Sequence, residues 1–219
     1  MSHLTSLLRA EALSASMRKR IFDILVGTLL LFLVFPLLLL LAIVIPIDSK
    51  GYPIYQQWRR GQYGKSFRIY KLRTMTSVAH EMRTSMLTDY HDNMIIFKLP
   101  EDPRTTRLGK YLRNYSLDEL PQLINVLKGE MSLVGPRPFS IEIFERMSDA
   151  SPDLHRWITA RHQVPPGMTG LWQISGRNLL PPEELVRLDL HYVENWTLKL
   201  DVAILIKTLP AVIRRTGAY

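Results

Sequence analysis

The longest apolar run in the chain, Ile21 to Ile47, reads IFDILVGTLLLFLVFPLLLLLAIVIPI and carries one charge, Asp23, near its start. About 20 apolar residues suffice to cross a bilayer as a helix. The run has neither the short apolar core nor the small-residue cleavage site of a secretory leader, so it is expected to stay attached to the rest of the chain. Pro36 stands close to its middle. A proline there lacks the N–H and collides with the carbonyl four residues back, so a bend is expected where Phe35 meets Pro36.

Beyond this run the pattern shortens. Residues 52–59 (YPIYQQWR) and 66–73 (SFRIYKLR) are aromatic and β-branched and flank a stretch with Gly61 and Gly64, which reads as a β-hairpin. A helix is expected over Ala79 to Met86, and another from Ser116 through Leu120, Leu123, Ile124 and Leu127. Leu185, Leu188, Tyr192, Val193 and Trp196 form the stripe of an amphipathic helix. The last segment, Leu198 to Arg215, is apolar but holds Lys199, Asp201, Lys207 and Pro210, which suits the membrane surface better than a second crossing. Two stretches read as loops. Gly135-Pro136-Arg137-Pro138 is a rigid one that presents Arg137, and Pro165 to Arg177 is a glycine-punctuated one. The expected fold class is mainly α with a small β-hairpin, α+β.

Charge sharpens the layout. Lys and Arg number 28 against 20 Asp and Glu, a net +8. Arg18, Lys19 and Arg20 precede the apolar run, and residues 49–80 after it contain seven cations and no acid. Cation-rich flanks favour the cytoplasmic side, and a straight span satisfies that tendency at one end only. A re-entrant helix satisfies both, although long domains translocate largely regardless of charge, so the simple span stays open. The organisation is then a cytoplasmic N-terminal segment 1–20, a membrane helix 21–47 with its break at Pro36, and a soluble domain 48–219 on the membrane surface.

Several chemistries are excluded. There is no Cys, hence no disulfide, thiolate metal site or cysteine nucleophile. The six His residues show no HExxH spacing, and no Walker loop or GxGxxG occurs. Arg104, Arg107, Lys110 and Arg113 recur every three residues, a solvated basic face or the rim of a groove. Asp118 and Glu119 come next along the chain. Ser116 as N-cap with Glu119 three residues on is a capping box, and that explains both acids without chemistry. Pro121 resists it, because at the fifth helical position its missing N–H forces a kinked or shifted start. The functional reading is a carboxylate nucleophile among phosphate-binding cations, with one acid attacking phosphorus and the other binding metal or moving a proton.

The run SLDELPQLINVLKGEMSLVGPRP (Ser116 to Pro138), with FRIYKLRTM, DPRTTRLGKYLR, PPGMTGLWQISGRN and LDLHYVENWTLKLD in order, resembles the bacterial sugar transferases, monotopic phosphoglycosyl transferases acting on polyprenol phosphate. The resemblance implies a re-entrant helix broken at a proline, here Pro36, and a mainly helical catalytic domain on the cytoplasmic face of a bacterial inner membrane. It implies transfer of a hexose-1-phosphate from a UDP-hexose to undecaprenyl phosphate with Mg²⁺, releasing UMP. By motif, Asp118 maps to the nucleophile and Glu119 to its partner in metal or proton handling. Arg113, Arg137, Lys71 and Arg177 map to substrate phosphate and nucleotide. Membrane lipid is a further partner, no nucleic acid is expected, and the sugar and a homodimer stay open. The rival reading is a membrane-anchored basic binding module for anionic lipid or nucleic acid, in which Asp118 and Glu119 only cap a helix.

Overall fold

The computed structural model describes residues 17–76, 79, 102–142, 145, 152–176 and 179–215. Arg177, and all but Ala79 of the helix expected over Ala79 to Met86, lie outside the described residues. The described part is mostly helical with two small sheets, as the α+β reading expects.

Helix α1, Met17–Asp48, is one element of 32 residues that continues through Pro36 and Pro46. Among the described residues it is the one helix long and apolar enough to cross a membrane. Its outer side exposes Leu29, Phe32, Leu33, Phe35, Leu39, Leu40 and Ile43. Its inner side packs on the domain along its whole length: Phe22, Val26 and Leu30 lie against the main core, and Leu41 and Ile45 are buried with Leu72 and Leu112. Polar contacts fix both ends. Near the start, Arg20 donates to the carbonyls of Val126 (2.6 Å) and Leu127 (2.7 Å), while Asp23 accepts from Ser132 Oγ and Leu133 N–H, both at 3.0 Å. Past the end, Arg73 donates to the carbonyls of Ser49 and Lys50.

The hairpin forms as its alternation predicts. Strands β1 (Ile54–Arg60) and β2 (Ser66–Leu72) pair antiparallel from Ile54↔Leu72 to Arg60↔Ser66, joined by a 3-10 turn, Gln62–Gly64. Phe67 and Ile69 enter the core. Helix α2, Arg107–Asn114, is capped by Thr106, whose hydroxyl accepts from Gly109 N–H at 2.9 Å. The row of cations divides here. Arg107 and Lys110 are exposed, Arg104 is buried ahead of the helix, and Arg113 turns inward.

Helix α3, Gln122–Lys128, begins only after Pro121. Strand β3, Ser132–Val134, leads into the Gly-Pro-Arg-Pro loop and pairs in parallel with β4, Gly167–Thr169. Helix α4 is Pro152–Arg161, and α5 is the short Leu171–Ser175. The stretch from Pro165 read as loop therefore contains a strand and a helix. Its glycines serve backbone packing: a Cβ on Gly167 would lie 2.0 Å from the Gly135 nitrogen. Helix α6, Pro182–Glu194, buries the predicted stripe of Leu185, Leu188, Tyr192 and Val193. Helix α7, Leu198–Arg214, buries Asp201 and Ile204 and exposes Val202, Ile206, Leu209 and Ile213.

Lys19 of α1 joins these elements. Its ammonium donates to Asp201 Oδ2 (2.7 Å), the Val134 carbonyl (3.0 Å) and Tyr192 OH (3.2 Å). The Tyr192 hydroxyl lies 2.9 Å from both the Val134 carbonyl and Asp201 Oδ1.

Candidate active site

The two acids do not cap a helix. Ser116 has φ 54° and ψ 22°, in the left-handed region, and its side chain makes no capping bond. The chain reverses there into a 3-10 turn, Leu117–Glu119, and α3 waits until Pro121 has been passed because proline offers no N–H for an earlier start. The capping-box reading is corrected accordingly: Glu119 turns its carboxylate to two cations rather than back to the Ser116 backbone.

Those cations come from distant elements. Lys71 is near the end of β2, whose backbone is held by Asn125 of α3. Asn125 accepts from Tyr70 N–H (3.1 Å) and donates to the Arg68 carbonyl (2.7 Å). Lys71 Nζ then lies 2.7 Å from Glu119 Oε1. Arg137 grips the same carboxylate with both terminal nitrogens, Nη1 to Oε2 at 2.9 Å and Nη2 to Oε1. Both Glu119 oxygens are thus committed. Asp118 is buried at 8% exposure, and its nearest cation among the described residues is Lys71, with Nζ 4.0 Å from Oδ2. Arg113 donates from Nε to Thr74 Oγ1 (3.0 Å) and lies 4.0 Å from Asp102 Oδ2. Of the residues singled out in the sequence, Asp118, Glu119, Lys71, Arg113 and Arg137 come together.

Electrostatics separates the neighbours. Burial pushes the Asp118 carboxyl up to about 6, against the pull of Lys71 and with a like-charge push from Glu119. Burial also acts upward on Glu119, but Arg137 and Lys71 outweigh it and hold that carboxyl well below the usual range. Adjacent carboxyls whose environments push them apart are suited to different tasks. Burial lowers the Arg113 guanidinium, opposed by Asp118 and Asp102.

The Arg137 loop is clamped carbonyl by carbonyl. Gly135 N–H donates to Thr169 O and Gly167 N–H to Pro136 O, both at 2.9 Å. Arg161 donates from Nη2 to the Arg137 carbonyl (2.7 Å) and from Nε to Asp189 (2.8 Å), and its guanidinium lies over Phe139 and Trp157. Arg59 of β1 points Nη1 at Pro138 O, 3.4 Å away. Sequence reasoning passed over Asn125, Arg161, Asp189 and Arg59. The one hint was Arg59's place in the acid-free stretch 49–80.

The donor set limits any metal. The described residues include no cluster of three His, Asp or Glu. With Glu119 held by Lys71 and Arg137, Asp118 is the acid of the pair with oxygens to spare. One carboxylate still fits Mg²⁺ where substrate phosphates and water complete the shell.

A family model described as bacterial sugar transferase matches residues 14–215. The chain is 42% identical over 229 residues to the undecaprenyl-phosphate galactose phosphotransferase of Salmonella typhimurium, covering all of this chain and 46% of that protein. It is 41% identical over 205 residues to the exopolysaccharide production protein ExoY of Sinorhizobium fredii, covering 92% and 88%. It is 38% identical over 217 residues to the UDP-glucose:undecaprenyl-phosphate glucose-1-phosphate transferase of Caulobacter vibrioides, covering 94% and 73%. The chain spans less than half the length of several relatives it matches, the Salmonella protein among them.

Proposed function

Because the chain belongs to the bacterial sugar transferase family, we propose that it transfers a hexose-1-phosphate from a UDP-hexose to undecaprenyl phosphate through a covalent intermediate on Asp118. The observation that carries this reading is the contrast between the two acids. Glu119 is spent on orienting Lys71 and Arg137, while Asp118 sits among the same cations with none of the described ones closer than 4.0 Å. An acid that only capped a helix would accept from the backbone, which is why the binding-module reading is the weaker one.

In the first half-reaction an Asp118 oxygen attacks the sugar-proximal phosphorus. The Oδ–P bond forms as the bond to the bridging oxygen breaks, and that oxygen leaves with UMP. In the second, a phosphate oxygen of undecaprenyl phosphate attacks the same phosphorus and the acyl-phosphate bond breaks, which restores the carboxylate and yields undecaprenyl-diphospho-hexose. Neither half needs a net proton from the protein. Phosphoryl transfer depends on positioning and on neutralising charge spread over oxygens, work suited to Lys71, Arg113 and Arg137. Arg177 keeps its assignment to the diphosphate region. Mg²⁺, when bound through substrate oxygens and Asp118, supplies further charge neutralisation.

The names of the relatives favour glucose or galactose as the hexose and the first membrane step of exopolysaccharide, capsule or O-antigen type glycans as the setting. The attachments of α1 support a re-entrant membrane path. A straight crossing would carry its start away from a domain that continues from its end, yet Lys19, Arg20 and Asp23 are bonded to the domain as firmly as the segment after Asp48. These contacts support a path in which α1 enters and leaves on one face, the cytoplasmic one, with the exposed side of α7 against the same leaflet. Cysteines replacing Met17 and Ser49 should both label from the cytoplasm, and labelling from opposite sides would restore a simple span.

The reaction is tested by UMP release from a panel of UDP-sugars with undecaprenyl phosphate, and by trapping labelled sugar phosphate on the protein without lipid. Asp118→Asn should abolish both while the protein still folds and binds lipid. Turnover at the wild-type rate by that variant would make the nucleophile assignment wrong.

A further inference from the structure

Resting on the reaction just given, we propose that Arg59 is a further substrate-binding residue, holding a phosphate oxygen of the UDP-hexose donor beside Arg137. Arg59 lies on β1 and bridges to Ser140, just past the Pro-Arg-Pro loop. Its Nη2 donates to Gln57 Oε1 at 2.6 Å and its Nη1 reaches Pro138 O at 3.4 Å, while its Nε is buried and has no hydrogen-bond partner among the described residues. Among those residues it also makes no ion pair. The other cations of the site have theirs: Lys71 and Arg137 with Glu119, Arg113 with Asp102.

The Arg59 guanidinium is lowered to about 10 by burial and by repulsion from Arg137, with Glu119 pulling the other way. A half-buried guanidinium with its Nε closed to water, repelled by a second one and without a counter-ion, is costly to maintain. The weak 3.4 Å contact to a carbonyl and the bond to the neutral Gln57 amide supply no opposing charge and leave Nε open. An anion with several oxygens would satisfy the open Nε and screen Arg59 from Arg137 in one step. The local charge agrees. Lys71, Arg59, Arg104, Arg113 and Arg137 face Asp102, Asp118 and Glu119, so cations exceed carboxylates by two, the charge of a UDP-hexose diphosphate.

The test compares wild type, Arg59→Gln and Arg59→Lys as full chains in lipid nanodiscs. Losing a charge-assisted hydrogen bond should raise the KM for UDP-hexose in Arg59→Gln by about tenfold or more. The KM for undecaprenyl phosphate and the melting temperature should hold, and Arg59→Lys should recover part of the loss. UDP alone should raise the melting temperature of wild type and not of Arg59→Gln. If UDP stabilises all three proteins equally, or if kcat falls with both KM values unchanged, Arg59 only braces the Pro138 carbonyl and the proposal is overturned. A wild-type protein that releases no UMP from any UDP-sugar would refute the reaction itself, while loss of UDP binding in Arg59→Gln would still uphold the anion site.

Discussion

Lys19→Met removes the cation from a cluster closed to water: Lys19 is 3% exposed and Asp201 0%. At the observed 2.7 Å, an effective dielectric of about 20 gives a gross attraction of about 6 kcal/mol, offset by the cost of desolvating both charges. After the substitution Asp201 keeps Tyr192 OH at 2.9 Å and Trp196 Nε1 at 3.0 Å, two neutral donors against an uncompensated charge. Breaking such a pair from one side costs about 3–5 kcal/mol. At about 2–4 °C per kcal/mol for a chain of this size, the melting temperature should fall by about 10 °C. Tryptophan fluorescence during heating in detergent reads this, with Asp201→Asn and the double variant completing a cycle. The double variant should lose less than the sum of the singles, because neither charge is then left alone. Strict additivity, or a shift below about 2 °C for Lys19→Met, would refute the coupling.

Four further outcomes are expected. Asp118 is raised in the fold to about 6, so its ionisation costs stability that is present at low pH and lost as pH rises through 6; Asp118→Asn should out-melt wild type at pH 8 by about 3 kcal/mol and lose that advantage near pH 3. In wild type, UMP release should fall as pH drops below 6, about tenfold per unit, as the proposed nucleophile Asp118 is protonated. Arg161→Lys cannot hold Asp189 and the Arg137 carbonyl together or lie flat against Phe139, so steady-state kinetics should show a higher KM for UDP-hexose along with a lower melting temperature. Gly109→Ala would set a Cβ 2.0 Å from Thr74 O; overpacking of about 1–3 kcal/mol should appear in thermal melts, with slower UMP release as Thr74 moves away from Arg113.

Local rules carried the sequence reading where the determinants are local. The alternation of Phe67 and Ile69, the 3.6-residue stripe on α6 and the prolines around Arg137 each act within a few residues, and the elements formed as expected. Ser116 to Glu119 shows the limit. The motif satisfies the capping rule, but Lys71, 48 positions away, and Arg137, 18 away, compete for the Glu119 carboxylate, and two charges outbid one backbone N–H. Gly167 and Gly170 misled for a similar reason, since their close neighbour is Gly135, in the loop that follows β3. Asn125 and Arg161 act on carbonyls far along the chain. No spacing in the sequence marks such partners.

Helix α1 is hung from one body at both ends, and this changes what the bilayer can do to it. A transmembrane rod is gauged against the separation of two water interfaces and strains when lipid tails are too short or too long. A segment suspended from a single platform has no far anchor, so its immersion depth is dictated by the platform. On the proposed re-entrant path, acyl-chain length should matter little to this protein, whereas the lateral crowding of one leaflet should matter a great deal.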